Sequence, residues 1–329
     1  MYICIGKRQY ISKHNQYEIS AMTLQQMEYI VAVYRWRHFA KAAEECGVTQ
    51  PTLSLMIQKL EAELGVKIFE RSSQQVVPTD MGKMIVEQAW RVISRARRIK
   101  EMVSEAQESL SGNFSIGILP TIAPYLLPRF FPQMTARYPD LNIHVVEMQT
   151  TALMRALERG EIDAAIAVSL DGMDKMVQTP LFYEQFFAYV SRSSNLFSAK
   201  SVKAADLSGQ MLWMLDEGHC LRDQLVKFCS LKSADKSKNT YRLGSIETYM
   251  RMVEAGLGMT FIPELAVEQL TLQQRELVRP FAIPIPTRQV VMLTLPSFVR
   301  KNILKLLTDT IQQAVPERML KFNNTEQRV

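Results

Sequence analysis

The run FAKAAEECGVTQPTLSLMIQKLEAELGVKIFER, Phe39 to Arg71, carries two helical patterns joined by a tight turn. The spacing predicts a short helix from His38 to Glu45, ended by Gly47 in a C-cap position. Thr49 caps a second helix, and Pro51 is tolerated in its first turn, where no intrahelical N–H is required. On that helix Leu53, Ile57, Leu60 and Leu64 recur at the spacing of a core-facing stripe. The other side presents Gln50, Pro51, Ser54, Leu55 and Gln58, with Thr52 in the same first turn. Amides and hydroxyls of this kind match donors and acceptors on base edges, and proline or leucine packs on a thymine methyl. Upstream, Leu24, Met27, Ile30, Val31 and Tyr34 mark one face of another helix; downstream, Ile68 to Arg71 and Gln75 to Val77 predict a two-stranded wing. Helix, glycine turn, helix is the helix-turn-helix plan, with the second helix set for a major groove. Periodicity alone fits equally a small helical bundle whose polar face is solvated.

After Pro78 the pattern lengthens. Thr79 is the expected N-cap of one long helix, and Ile85, Ala89, Val92, Ala96, Ile99, Val103, Ala106 and Leu110 recur at spacings that alternate four and three. That is a coiled-coil seam, or else a helix packed on its own domain, and Gly112 is expected to end it. The basic run Arg95, Arg97, Arg98, Lys100 reads as a solvated face.

Beyond it, short apolar strands alternate with helices. Strands are expected at Phe114 to Leu119, Asn142 to Gln149 and Ile162 to Val168, with helices at Pro124 to Tyr138 and Thr151 to Arg159. This βαβαβ run predicts a mainly parallel sheet with right-handed crossovers. A second such lobe follows, and a strand at Val290 to Leu295 returns the chain to the first. Two lobes around a cleft resemble periplasmic binding proteins, with the cleft at the C-terminal strand ends. Thr121 and Thr150 lie just past the first two strands and are expected to face it.

The fold class is therefore α/β overall: an N-terminal winged helix-turn-helix, a long linker helix and a two-lobed periplasmic-binding-protein-like α/β domain. The expected boundaries are 1–21, a disordered extension or upstream start; 22–78, the winged module; 79–111, the linker helix; 112–316, the two-lobed domain; and 317–329, a flexible tail. Lobe I takes 112–183 and 287–316, and lobe II 184–286.

The chain has 329 residues and a net charge of +6, a mild pointer to an acidic partner. Residues 22–78 hold six Lys or Arg against six Asp or Glu, so charge does not by itself mark a nucleic-acid binder. No apolar run reaches membrane-spanning length and no export signal stands at the N-terminus, so a cytoplasmic protein is expected. In that compartment Cys4, Cys46, Cys220 and Cys229 are by default free thiols. No Cys/His spacing suits zinc, and neither metal nor cofactor is expected.

GHCLRDQLVKFC, Gly218 to Cys229, is the second informative stretch. Cys220 follows an expected strand, Met211 to Leu215, and stands at the start of a helix. A helix N-terminus and a nearby cation lower a thiol pKa; Arg222 is close, and His219 can donate a hydrogen bond. Cys229 is nine residues on. On a continuous helix that is about 13.5 Å and two and a half turns. A disulfide needs Cα atoms within about 7 Å, so bridging requires the helix to unravel. The residues leave a plainer reading open, two inert core cysteines, which Phe228 beside Cys229 suits.

The AA, TQPTLS, KLEAELG and IFER blocks of residues 39–71, in order and without gaps, closely resemble the winged helix-turn-helix of the LysR family of bacterial regulators, and the likeness runs the whole chain from Met22. GHCLRDQ with FC at the same spacing, and GILPTIAPYLLP (Gly117 to Pro128), resemble that family's peroxide-sensing branch. The resemblance implies a DNA-binding activator of antioxidant genes, not an enzyme. Cys220 is then peroxidatic and Cys229 resolving; Thr121 holds peroxide, His219 and Thr150 line its pocket, and Arg288 stabilises the thiolate. Gln50, Pro51, Thr52, Ser54, Leu55, Gln58 and Arg71 are the implied DNA contacts. Implied partners are promoter DNA, hydrogen peroxide, RNA polymerase, a thioredoxin or glutaredoxin type reductant, and further copies in a dimer of dimers joined through the linker helix. Cys4 and Cys46 read as non-sensing. The chain departs from the family in having glutamine at 58, 74 and 75, where basic residues are common. Fewer phosphate contacts then lower the affinity or shift reliance onto Arg71, Arg35, Arg37 and Lys41. Rival readings are a LysR regulator of a small organic effector with incidental cysteines, a thiol peroxidase, and a DNA-architectural protein.

Overall fold

The computed structural model describes residues 22–71, 76–170, 172–215, 220–229 and 245–329, with Arg71 and Cys220 described as backbone only. The chain forms two compact units, residues up to Ile93 and residues from Ser94 onward. Residues 1–21, and with them Cys4, lie outside the described residues.

In the first unit α1 (Leu24–Trp36), α2 (Phe39–Glu45) and α3 (Gln50–Leu64) precede β1 (Phe69–Arg71) and β2 (Val76–Pro78), which pair antiparallel as the wing. Local chemistry sets the helix starts. Thr23 and Gln26 form a reciprocal capping box on α1, His38 accepts from the Lys41 N–H on α2, and Thr49 accepts from the Thr52 N–H on α3. Ile30, Val33, Ala42, Leu53, Ile57 and Leu60 are wholly buried together. Glu61 is buried as well, and it joins α3 to the wing. Its carboxylate accepts from the Ile68 and Phe69 N–H groups at 2.9 and 3.2 Å and from Lys67 Nζ at 2.9 Å. Burial opposes its ionisation, but these donors outweigh burial and hold it below the usual carboxylate range.

The long helix α4 (Asp80–Ala106) starts as expected: Thr79 Oγ1 accepts from the Gly82 N–H at 2.8 Å and the Thr79 N–H bonds Ile68 O. Gly82 lets the helix approach the wing; a Cβ there would lie 2.0 Å from Ile68 O. Gly82→Ala is therefore expected to destabilise the first unit by about 3 kcal/mol, the cost of overpacking against backbone. Thermal unfolding followed at the tryptophans of that unit checks it; an unchanged midpoint would remove the packing argument. The helix stops at Ala106 rather than at Gly112, which instead opens a strand.

The second unit is built on β3 (Gly112–Ile118), α5 (Ala123–Arg137), β4 (Leu141–Glu147), α6 (Thr150–Arg159) and β5 (Ala164–Val168). β3 pairs parallel with both β4 and β5, as expected. The rest differs from the sequence reading. β6 (Val177–Val190) is one long strand running antiparallel to the equally continuous β9 (Ile285–Thr294), and both pass straight through the expected lobe boundaries at 183/184 and 286/287. The far lobe carries α7 (Cys220–Phe228), α8 (Ile246–Glu254), β7 (Met259–Pro263), α9 (Glu264–Glu268), α10 (Leu272–Arg275) and β8 (Val278–Pro280). Its β7 and β8 pair antiparallel with β6, not in a parallel repeat of the first lobe. Met211 to Leu215 makes only a single bridge, Leu212 to Met259, instead of a strand. The strand order is β4-β3-β5-β9-β6-β7.

After α11 (Lys301–Ala314) the chain was expected to fray, but residues 317–329 are ordered. Met319 is buried, and β10 (Glu326–Arg328) adds a parallel strand to β9. Arg97 and Arg98 likewise face Glu101 and Asp163 across a small pocket rather than solvent alone. Burial pushes both carboxyls up against the pull of those arginines. No helix among the described residues is long and apolar enough to cross a membrane.

Candidate functional site

Two sites emerge, one in each unit. On α3 the residues expected to read bases lie on one open face: Gln50, Pro51, Thr52, Leu55 and Gln58 are exposed and Ser54 is half-buried, while Leu53, Ile57 and Leu60 hold the opposite face in the core. Arg71 closes β1, its side chain outside the described residues, as are Gln74 and Gln75. The cations assigned to phosphate contact are partly engaged within the unit. Arg35 and the Trp36 indole both bond Glu45, the Arg37 guanidinium lies 4.2 Å from the Tyr34 ring centroid, and Lys41 stands 5.8 Å from that of Trp36. Glu45 thus offsets part of the Arg35 charge that a phosphate would meet.

The second site centres on α7. The helix begins at Cys220 and ends at Phe228, with the Cys229 N–H still bonded to Leu225 O at 2.9 Å. Leu221, Leu225 and Cys229 are buried, and Phe228 meets Phe281 edge-on at 6.0 Å. Cys229 is a free thiol whose burial pushes its pKa up to about 12. It is therefore protonated, and a poor nucleophile, while the helix stands. The Cys220 side chain and His219 lie outside the described residues. Cys46, half-buried on the first unit, is also raised, by burial first and then by Glu45 and Glu28.

Thr121 and Arg288 are brought together. Thr121 sits where β3 leads into α5 and is almost fully buried. Arg288 Nη1 donates to its Oγ1 and Nη2 to its carbonyl, both at 3.0 Å. A guanidinium only donates, so Thr121 Oγ1 must accept there, and its own proton is left to donate elsewhere. Thr150 leaves the adjacent strand: Ile118 of β3 is in register with Glu147 of β4, and the Met148 N–H bonds Ile118 O. Thr150 opens α6, and its buried Oγ1 has no hydrogen-bond partner among the described residues. Two donors or acceptors thus emerge side by side from the C-terminal ends of parallel strands.

Sequence reasoning missed Glu184. It lies directly across from Arg288 in the β6–β9 register, and Oε2 takes Nε and Nη2 of Arg288 at 2.8 and 2.7 Å. Its Oε1 accepts from the Leu265 N–H at 3.1 Å. Both charged groups are sealed from solvent, and the Phe186 ring lies 5.2 Å from the guanidinium. Arg288 is engaged first by partners within its own unit. It is a clamp that spends most of its N–H groups on Glu184 and Thr121. The only sequence signal was a glutamate inside an apolar strand pattern. Gln224 was missed too: from α7 its Nε2 donates to Val329 O at 2.8 Å, tying the cysteine helix to the residues after β10.

Comparison with known proteins matches these two units. Residues 24–83 match the family model for the bacterial regulatory helix-turn-helix protein of the lysR family, and residues 107–316 the LysR substrate binding domain. The chain is 37% identical over 302 residues to a "Hydrogen peroxide-inducible genes activator" of Dickeya chrysanthemi, covering 92% of this chain and 99% of that one. It is similar to a full-length OxyR variant from Pseudomonas aeruginosa, at 35% identity and a TM-score of 0.73, covering 88% of this chain and 95% of the other. A Corynebacterium glutamicum OxyR variant with hydrogen peroxide bound is 29% identical with a TM-score of 0.59, covering 89% and 92%. With both of its units matched, and relatives matched over nearly their full length, the chain belongs to the LysR family of bacterial helix-turn-helix regulators, in the group of hydrogen peroxide-inducible genes activators known as OxyR.

Proposed function

We propose that this chain senses hydrogen peroxide at Cys220 and reports it by closing a Cys220–Cys229 disulfide. The observation that carries the reading is the intact α7, with one cysteine on its first residue and the other just past its last. The Cys220 thiolate attacks one peroxide oxygen. The O–O bond breaks, an S–O bond forms, and the other oxygen leaves as hydroxide and takes up a proton to become water. Cys229 then attacks the Cys220 sulfur, the sulfenic oxygen departs as water, and the two thiols have together given two electrons to the peroxide. Nine residues of helix keep the Cα atoms about 13.5 Å apart, beyond the roughly 7 Å a disulfide spans. The second step therefore requires α7 to open, which also frees Cys229 from the burial that keeps it protonated. Thr121 and Thr150 line the peroxide pocket with His219, and Arg288 orients Thr121 and stabilises the Cys220 thiolate. A 29% identical relative with hydrogen peroxide bound supports peroxide as the ligand.

Opening of α7 strains the lobe that holds it and resets the pairing of chains on promoter DNA. The α3 face of Gln50, Pro51, Thr52, Ser54, Leu55 and Gln58, with Arg71 in the wing, enters the major groove. The seam on α4 pairs two chains; Val92, Ile99 and Val103 stand exposed along it. Two such dimers form the tetramer that recruits RNA polymerase, and a thioredoxin or glutaredoxin type reductant in the cytoplasm restores the thiols. Sub-stoichiometric peroxide followed by peptide mass spectrometry tests this reading: the Cys220–Cys229 peptide pair is expected, with a changed promoter footprint. Failure of that bridge to form would leave a regulator of a small organic effector.

A further inference from the structure

Residues 317–329 cross the second unit as a strap that is fixed at each step. Arg318 bonds Glu264 Oε1 at 2.8 Å and Glu268 Oε1 at 3.1 Å on α9. Met319 is buried, and the Phe322 ring lies 5.3 Å from that of Tyr183 on β6. Gln185, also on β6, donates to Glu326 Oε1 at 2.6 Å. β10 then lies along β9, with Glu326 opposite Ile285 and Arg328 opposite Thr287. Val329 faces two ways. Its N–H donates to Thr287 O at 3.1 Å, beside Arg288, and its own oxygen accepts from Gln224 Nε2 at 2.8 Å.

Gln224 stands on α7 four residues after Cys220, about one turn. It is 5% exposed, and its Oε1 has no hydrogen-bond partner among the described residues. Its amide is therefore fixed from one side, by Val329. Among the described residues, that is the one hydrogen bond from an α7 side chain to another element. α7 has nine residues, and a helix shorter than about 12 residues is marginal in water by itself. Its standing rests on the buried Leu221, Leu225 and Cys229, on the Phe228–Phe281 pair, and on the bond to Val329. The last of these runs to a strap anchored on other elements, so the state of β10 reaches α7 directly.

We propose that residues 325–329 are a latch on the cysteine helix. Held on β9, they keep α7 wound and set how often it opens for Cys229 to reach Cys220. The use of the latch rests on the disulfide reading above; its grip on α7 does not. In the closing step the Cys229 sulfur displaces the sulfenic oxygen from Cys220. The S–S bond forms, the S–O bond breaks, and the oxygen leaves as water with the Cys229 proton. The latch changes how fast the two sulfurs meet, not what they exchange. One hydrogen bond of this kind shifts an opening equilibrium about two- to tenfold.

Hydrogen–deuterium exchange of the α7 amides in the reduced full chain tests the proposal. It is set beside a full-length Gln224→Leu chain, a chain lacking 325–329, and a chain with both changes. Exchange about two- to tenfold faster is expected for Gln224→Leu, and at least as fast for the shortened chain. In the shortened chain Gln224→Leu should add nothing, because the bond is already gone. Amides of α1, α2 and α3 should exchange as before. With peroxide added, the passage from sulfenic acid to disulfide, followed by quenched thiol labelling and mass spectrometry, should quicken by the same factor. Equal α7 exchange in the parent and Gln224→Leu chains overturns the latch, and that comparison stands even if the shortened chain does not fold. Additive effects of the two changes also overturn it, since β10 would then be a general brace of the sheet. So does faster exchange without faster closure. If no disulfide forms in any chain, the sensing reading fails, and the exchange comparison still decides the grip of the latch on α7.

Discussion

Replacing Glu184 by alanine lowers the stability of the second unit by about 3–5 kcal/mol, the range seen when one partner of a buried ion pair is removed. Arg288 is 0% and Glu184 1% exposed, so no water reaches the orphaned guanidinium. The damage spreads in two directions. The Leu265 N–H at the start of α9 loses its acceptor, and Arg288 no longer holds Thr121 at fixed geometry. The double substitution Glu184→Ala with Arg288→Met should recover a large part of the loss, since a pair of apolar groups leaves no buried charge behind. Urea unfolding followed at Trp213, the only tryptophan after Ile93, reads both. A loss below about 1 kcal/mol for the single variant, a value typical of exposed pairs, would mean the pair is not the sealed clamp described.

Thr121→Val should slow oxidation of Cys220 by peroxide about 100-fold, the usual consequence of deleting one preorganised donor from a reacting centre. Arg288 donates to Thr121 Oγ1 and thereby commits the hydroxyl proton to the opposite side, toward whatever occupies the pocket. Valine keeps the shape and loses that proton; Thr121→Ser keeps the proton and should stay within a few-fold of the parent. Quenched-flow labelling of the remaining Cys220 thiol gives the rate. If the valine chain reacts within threefold of the parent, Thr121 is a structural partner of Arg288 and nothing more.

Much of the first unit was legible because its determinants are local. Caps at Thr49 and Thr79, the stripe Leu53, Ile57, Leu60 and the polar face beginning at Gln50 all lie within a few residues of what they control. The cysteine helix was legible for the same reason, since the distance between its two ends follows from residue count alone. Thr121 was placed at the cleft by the strand pattern and given its role by resemblance, while Arg288 was singled out by resemblance alone. The pairing of Arg288 with Glu184 was not legible, because Glu184 lies 104 residues away in the chain.

The chain's own order of residues determined where α3 and α4 start, which face of α3 is polar, and that the two cysteines cannot meet across an intact helix. Only the tertiary structure decided that β6 and β9 run unbroken through both lobes, that the last residues add a strand beside Arg288, and that a glutamate sits opposite that arginine. Caps and periodicities act over one or two turns. Cross-strand partners are set by which distant segments share a core, and a strand's alternation reports that one face is buried without saying against what.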